Sequence, residues 1–279
     1  MALDITKRLV IKPETFIGES VAVLGIKGSG KSNTAAVLME EFLDLGIPII
    51  VVDYEGEYSG LKSDYPQVAV VGKSTECTVD IEMNADNATE IAAKVYENGL
   101  SVIIDLTDEE ESNHSQIIGQ FFTQVWLSAK AKKIPSVIFL EECHNWIPQA
   151  SKSAVSGLFV KLALRGRKRG LSLIMMSQRS AMVSKHVLSQ ADICFLHKVR
   201  HPADLDVYYG LIPRKRGWIA EKVGRMKKGE VLLLKGESCT SWQMRVRTTK
   251  HLGKTPGLDR IPNRSRQMSL IDMMASKYD

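Results

Sequence analysis

The sequence predicts an α/β fold, a mainly parallel sheet with helices on both faces. Short apolar runs alternate with amphipathic, helix-like segments along most of the chain, the rhythm of strands joined by helical crossovers. Several runs are apolar at nearly every position, as strands covered on both faces must be. A glycine-rich stretch, Gly25-Ile-Lys-Gly-Ser-Gly-Lys31-Ser32, joins the first long run to the first helix-like segment and has the spacing of a phosphate-binding loop.

The run at 21–24 reads as a strand and 35–44 as the helix that follows it. Between them, Gly25, Gly28 and Gly30 can take backbone conformations that a β-carbon forbids. The loop can then wrap a phosphate with its N–H groups turned inward, and the helix beginning near Lys31 adds its positive end. Nucleotide contact is expected from Gly25, Lys27, Gly28, Ser29, Gly30, Lys31, Ser32 and Asn33. Lys31 is expected to reach the β- and γ-phosphates of ATP, and Ser32 to ligate Mg²⁺.

The runs at 47–52, 68–71 and 101–106 continue the sheet, with helix-like segments at 88–98 and 115–132. Asp53 and Asp105 end two of these runs and compete as metal-side carboxylates. For Asp105 the plain reading, a strand-end cap, is preferred. The run at 136–140 ends in Glu141-Glu142. A buried strand that delivers two carboxylates to a sheet edge is costly unless something pairs with them, and a Mg²⁺–nucleotide complex does so. Glu141 is expected to orient magnesium through water, and Glu142 to polarise the water that attacks the γ-phosphate. His144 reads either as a partner of Glu142 or as a histidine packed at a helix start, and the second is preferred.

The run at 171–176 leads into Ser177-Gln178-Arg179, where Gln178 can sense the γ-phosphate by hydrogen bond; a polar strand exit is the bland alternative. Before it lies Arg165-Gly-Arg167-Lys-Arg169-Gly. This basic run is an arginine finger for a neighbouring subunit's phosphate, a contact to a DNA backbone, or solvated surface. Runs at 193–195 and 230–234 finish the sheet. Residues 213–228 hold seven basic side chains against Glu221, a grip on nucleic acid or a solvated face. One domain, 1–250, is expected, then a tail at 251–279 with a short helix at 269–276.

The 279 residues are 44% hydrophobic and 25% charged, the balance of an ordinary globular protein. A net charge of +5 permits nucleic acid as a partner without requiring it. No apolar run approaches a membrane span, and the N-terminus lacks the apolar stretch of a signal peptide. The four cysteines are far apart in sequence, which rules out a CxxC metal site and fits a reducing cytoplasm.

Together these motifs resemble the HerA-type ATPases of the HerA/FtsK superfamily of DNA translocases. The matching pieces are the loop through Asn33, Val52-Asp-Tyr-Glu-Gly-Glu-Tyr58, Phe139-Leu-Glu-Glu-Cys-His-Asn-Trp-Ile-Pro148, Arg165-Gly-Arg-Lys-Arg-Gly170 and Met176-Ser-Gln-Arg-Ser180, in that order. The resemblance implies a RecA-like P-loop NTPase core assembled as a hexameric ring of identical copies, with ATP at subunit interfaces and double-stranded DNA in the channel. It assigns water activation to Glu142, phosphate sensing to Gln178, and the finger given to the adjacent subunit to Arg167. It also implies that Glu55 or Glu57 lines the site.

Two departures stand out. P-loop ATPases usually carry Asp where this chain has Glu141, which leaves the division of labour among Glu141, Asp53 and Asp105 open. The loop also begins at residue 25, with no room before it for the family's N-terminal β-barrel. The expectation is a minimal motor, or one whose nuclease or other effector partner docks elsewhere. A ring motor on DNA is the leading reading. A regulatory ATPase subunit of a defence or DNA-processing complex, using ATP as a switch, is its rival. A small-molecule phosphotransferase is disfavoured because no arginine-rich lid segment is visible.

Overall fold

The computed structural model describes residues 3–6, 10–150 and 155–250; the expected tail at 251–279 and its helix at 269–276 lie outside the described residues. Strands β1 (Leu3–Asp4) and β2 (Val10–Ile11) pair as a small antiparallel ribbon. The other strands among the described residues form one sheet of ten. In chain order these are β3 (Ser20–Leu24), β4 (Ile49–Asp53), β5 (Val68–Gly72), β6 (Ile81–Glu82), β7 (Ser101–Asp105), β8 (Ser136–Leu140), β9 (Leu171–Ser177), β10 (Ile193–Leu196), β11 (Glu230–Lys235) and β12 (Ser238–Gln243). Across the sheet they run β12-β11-β10-β3-β9-β8-β4-β7-β5-β6. Neighbours are parallel except β10–β11 and β11–β12.

The helices are α1 (Lys31–Asp44), α2 (Ala88–Glu97), α3 (Glu111–Ala131), α4 (Ser156–Arg165), α5 (Lys185–Leu188), α6 (Pro202–Leu211) and α7 (Arg216–Arg225). They cover both faces of the sheet. Along β3, Ala22 and Leu24 join a core with α2, α3, α4, α6 and α7, while Val21 and Val23 join a second core with α1 and the ribbon. Burial on both sides is why β3, β4, β7, β8 and β9 carry no polar alternation. The predicted α/β fold with its mainly parallel sheet is the observed one.

The basic stretch at 213–228 contains α7: Ile219 and Val223, four residues apart, share a buried stripe while the basic side chains take the other face. One local expectation needs correction. Residues 141–146 form successive turns, so His144 does not sit at a helix start. Cys143 and Cys194 are buried and Cys77 and Cys239 half-buried, all as free thiols. Among the described residues no helix is long and apolar enough to cross a membrane.

Candidate nucleotide site

The parallel strands β3, β4, β8 and β9 all point their carboxyl ends to one edge of the sheet, the edge where such sheets bind ligands. The loops leaving them enclose a hollow lined by Lys27, Gly28, Lys31, Ser32, Glu55, Glu57, Glu141, Glu142 and Gln178. Every strand tip named from the sequence for phosphate or water chemistry is therefore brought to one place.

The loop from Gly25 to Gly30 is tightly constrained. Gly25 has φ of 152°, and a β-carbon there would stand 2.5 Å from His197 Cβ. Gly30 has φ of 114°, and its β-carbon would meet the Gly229 backbone at 3.0 Å. Only glycine fits either position. Ser29 Oγ donates to Ile26 O at 2.7 Å, closing the loop on itself. The Ser29 N–H donates to the same carbonyl at 3.2 Å, and Ser29 O accepts from Gly229 N at 2.8 Å, so Ser29 shapes the loop.

Lys31 Nζ donates to Ile26 O at 3.2 Å. Burial pushes the Lys31 ammonium below its ordinary pKa, while Glu142, Glu57 and Glu141 pull the other way. This cation is taken out of water and faces three carboxylates. The Ser32 hydroxyl lies beside the Tyr58 phenol. Asn33 borders the site, but its amide is engaged elsewhere: Nδ2 donates to Arg245 O at 2.7 Å and Oδ1 accepts from Arg247 N at 3.0 Å.

Glu141 Oε2 accepts from the backbone of Tyr54 at 2.8 Å and of Glu55 at 3.0 Å. Burial, then Asp53 and Glu57, push its pKa well above the ordinary carboxylate value, and burial lifts neighbouring Asp53 to about 7. The two side chains share a hydrogen bond, so the pair holds a proton near neutrality. Asp53 accepts from Glu57 N at 3.0 Å and Tyr58 N at 2.9 Å. It caps the loop after β4. Of the competing metal-side acids, Glu141 lines the hollow and Asp53 does not. Asp105 behaves as the preferred reading expected: its Oδ1 accepts from Thr107 N at 3.0 Å and Thr107 Oγ1 at 2.6 Å.

Glu142 is buried with φ of 42°, an uncommon conformation for a side chain of its size. Its Oε2 lies 3.0 Å from His144 Nδ1 and accepts weakly from Gln178 N at 3.4 Å. The pairing of His144 with Glu142, ranked second from the sequence, is the observed one. Gln178 directly follows β9 and lines the hollow.

The basic cluster separates into distinct roles. Arg169 stacks on Trp126 at 3.9 Å and donates to Trp126 O at 2.9 Å, so it is a packing residue. Arg167 is 78% exposed, with Nη1 3.5 Å from Glu19. It precedes β9, whereas the P-loop follows β3. These strands are parallel and in register, so Arg167 and the P-loop lie at opposite edges of the sheet. The five residues of β3 alone separate them by about 16 Å at 3.3 Å per residue. Arg167 cannot serve the nucleotide of its own chain.

The residues fit a magnesium–triphosphate complex. Four glutamates face two lysines in the hollow, so a bare polyanion would be repelled even with one proton on the Asp53–Glu141 pair, and a divalent cation reconciles the charges. Among the described residues no cluster of three or more His, Cys, Asp or Glu could cage a metal ion by itself. Magnesium held largely by phosphate oxygens, Ser32 and water needs no such cage. Two contributors lay beyond the sequence reading. His197 packs under the loop, with Nε2 3.0 Å from Thr34 Oγ1, and carried no signal except its place at the end of β10. Tyr58, within Gly-Glu-Tyr, was visible only as part of a motif.

Fold and site define a P-loop NTPase of the FtsK/HerA type. The chain belongs to the family described as the central domain of helicase HerA, whose family model matches residues 4–170. The DNA double-strand break repair helicase HerA of Sulfolobus acidocaldarius is 20% identical over 78% of this chain and 62% of its own length. The chain thus spans less than two thirds of that relative. Among solved structures, the genome packaging NTPase B204 of Sulfolobus turreted icosahedral virus 2, in complex with AMP, aligns with a TM-score of 0.56. It is 20% identical and covers 82% of this chain and 97% of its own. VirB4 of Thermoanaerobacter pseudethanolicus aligns with a TM-score of 0.60 at 14% identity, covering 81% and 89%.

Proposed function

We propose that this protein is an ATPase that works as a ring of identical copies, hexameric as the family resemblance implies, and moves or unwinds double-stranded DNA. The observation that carries the reading is Glu142, a buried carboxylate held by His144 and facing Lys31 across the hollow. Lys31 and the loop N–H groups hold the phosphates, and Ser32 with Glu141 would hold magnesium, which supplies charge neutralisation when bound. Glu142 accepts the proton of the attacking water. The Gln178 amide senses the γ-phosphate. Arg167, barred from its own site, completes the charge stabilisation in the next copy. Hydrolysis then depends on assembly.

The DNA substrate is supported by the relatives: one is described as a DNA repair helicase and another as a genome packaging NTPase. The net charge of +5 suits a polyanion. A nuclease or other effector partner and a cytoplasmic setting complete the proposal.

The test is ATP turnover with and without duplex DNA, alongside the mass of the assembly. Turnover stimulated by duplex, lost at high salt and abolished by Lys31→Ala is the expected result. Turnover indifferent to DNA in an assembled ring would remove the motor. An active monomer would remove the shared site.

A further inference from the structure

After β12 the chain does not leave the nucleotide site. Residues 244–250 run as a strap along α1, clasped by three of its side chains. Asn33 bonds to the backbone of Arg245 and Arg247. The buried Glu40 carboxylate accepts from Thr248 N at 2.9 Å, Thr249 N at 2.9 Å, Thr249 Oγ1 at 2.7 Å and Arg245 Nη1 at 2.6 Å. Glu41 takes the other Arg245 nitrogen at 2.7 Å. Burial alone would raise the Glu40 pKa, yet these bonds bring it below its ordinary value. A fully buried acid with so many donors holds the segment to α1, and Met244 N and Arg245 N tie its start to Gly229 O and Ile5 O.

The strap is fixed beside a cleft of about 630 Å³, within the usual size of small-molecule sites. One wall is the P-loop from Gly30 to Ser32; the other is Gln243, Met244, Val246 and Arg247. The cleft shares Lys31, Ser32 and Glu57 with the phosphate hollow, so the two are continuous. Val246 is 79% exposed, an aliphatic side chain turned outward at the cleft. Arg247 Nη1 is buried there without a hydrogen-bond partner.

We propose that residues 243–247 form the nucleoside wall of the site, the base lying against Val246 and the ribose beside Arg247, in the same subunit as the P-loop that holds the phosphates. This rests on the reading of that loop as a triphosphate site, and it assigns a ligand surface to a strap outside the loop, the acid strand and the finger. Preorganising this wall through Glu40 lowers the cost of ordering it on binding. It also ties nucleoside contact to the helix that carries Lys31.

Two measurements test it. Photolabelling of the wild-type protein with 8-azido-ATP should place the label within residues 243–247. Val246→Ser, at an exposed position, should weaken Mg·ATP about fivefold, as expected for loss of most of one aliphatic contact, while Mg·tripolyphosphate binds as before. Label placed elsewhere, equal weakening of both ligands, or no change in either would overturn the wall. Wild-type protein that binds neither ligand would instead remove the triphosphate site itself.

Discussion

His144 Nδ1 lies 3.0 Å from Glu142 Oε2 and 3.1 Å from Ser177 Oγ. An ionised carboxylate can only accept, so a hydrogen bond between the two requires the imidazole proton on Nδ1. Glu142 is also the only non-glycine residue with positive φ among the described residues. Strain of this kind persists where its surroundings over-determine it. Here the surroundings are His144, the Gln178 amide and the Cys143 N–H, which donates to Met176 O at 2.8 Å. The chain turns sharply off β8 to aim one carboxylate.

The first prediction concerns that carboxylate. Glu142→Gln keeps the shape and removes the base. ATP turnover should fall by about 10²–10⁴, while Mg·ATP binding, followed with a fluorescent analogue, is retained. Near-normal turnover would move the base to another acid.

His144 is a positioning residue. Losing a hydrogen bond to a charged group costs about 1.5–3 kcal/mol, so His144→Ala should slow kcat roughly ten- to hundredfold with KM little changed. His144→Asn can still donate and should recover part of the loss. If alanine and asparagine behave alike, the contact is packing and nothing more.

How much of this was legible beforehand follows from distance along the chain. The P-loop, the acid pair and the Gln178 tip are local patterns on strands buried on both faces, and local patterns survive in sequence. Asp53 bonds to residues four and five positions on, so its capping role was within reach, with Gly56 as the marker of the turn. The His144–Ser177 contact spans 33 residues and the Glu40–Thr249 contact 209; no spacing rule covers either. Strand β12 was missed because Ser-Cys-Thr-Ser-Trp-Gln is mostly exposed at a sheet edge and lacks an apolar run. The resemblance alone singles out Arg167; the Trp126 ring beneath Arg169 lies 43 residues away in the chain, beyond any local pattern.

Arg167 yields a test of assembly. Because it lies at the sheet edge opposite its own P-loop, Arg167→Ala should cripple hydrolysis without weakening ATP binding in the same chain. Mixing Arg167→Ala with Glu142→Gln subunits creates interfaces where an intact base meets an intact finger. Turnover should then rise above that of either variant alone, peaking near equal proportions. Flat activity at every ratio would argue that Arg167 acts elsewhere, on DNA or at the surface.

His197 makes the loop acid-sensitive. It is buried beneath Gly25, and burial, helped by the Lys31 charge, drives its pKa from 6.5 down to about 3. A depressed folded-state value means that the unfolded chain takes a proton below pH 6.5 that the folded chain refuses until about pH 3. The contribution is therefore complete above pH 6.5 and erodes as pH falls through that window, with a slope approaching 1.4 kcal/mol per unit, roughly one proton's worth. His197→Gln cannot take up that proton. Urea unfolding at pH 7.5, 6.0 and 5.0 should show wild type losing more stability than the variant, with the gap widening at each step. Parallel losses would mean that the imidazole titrates as it does in water, and that the P-loop is not packed on it in the way described.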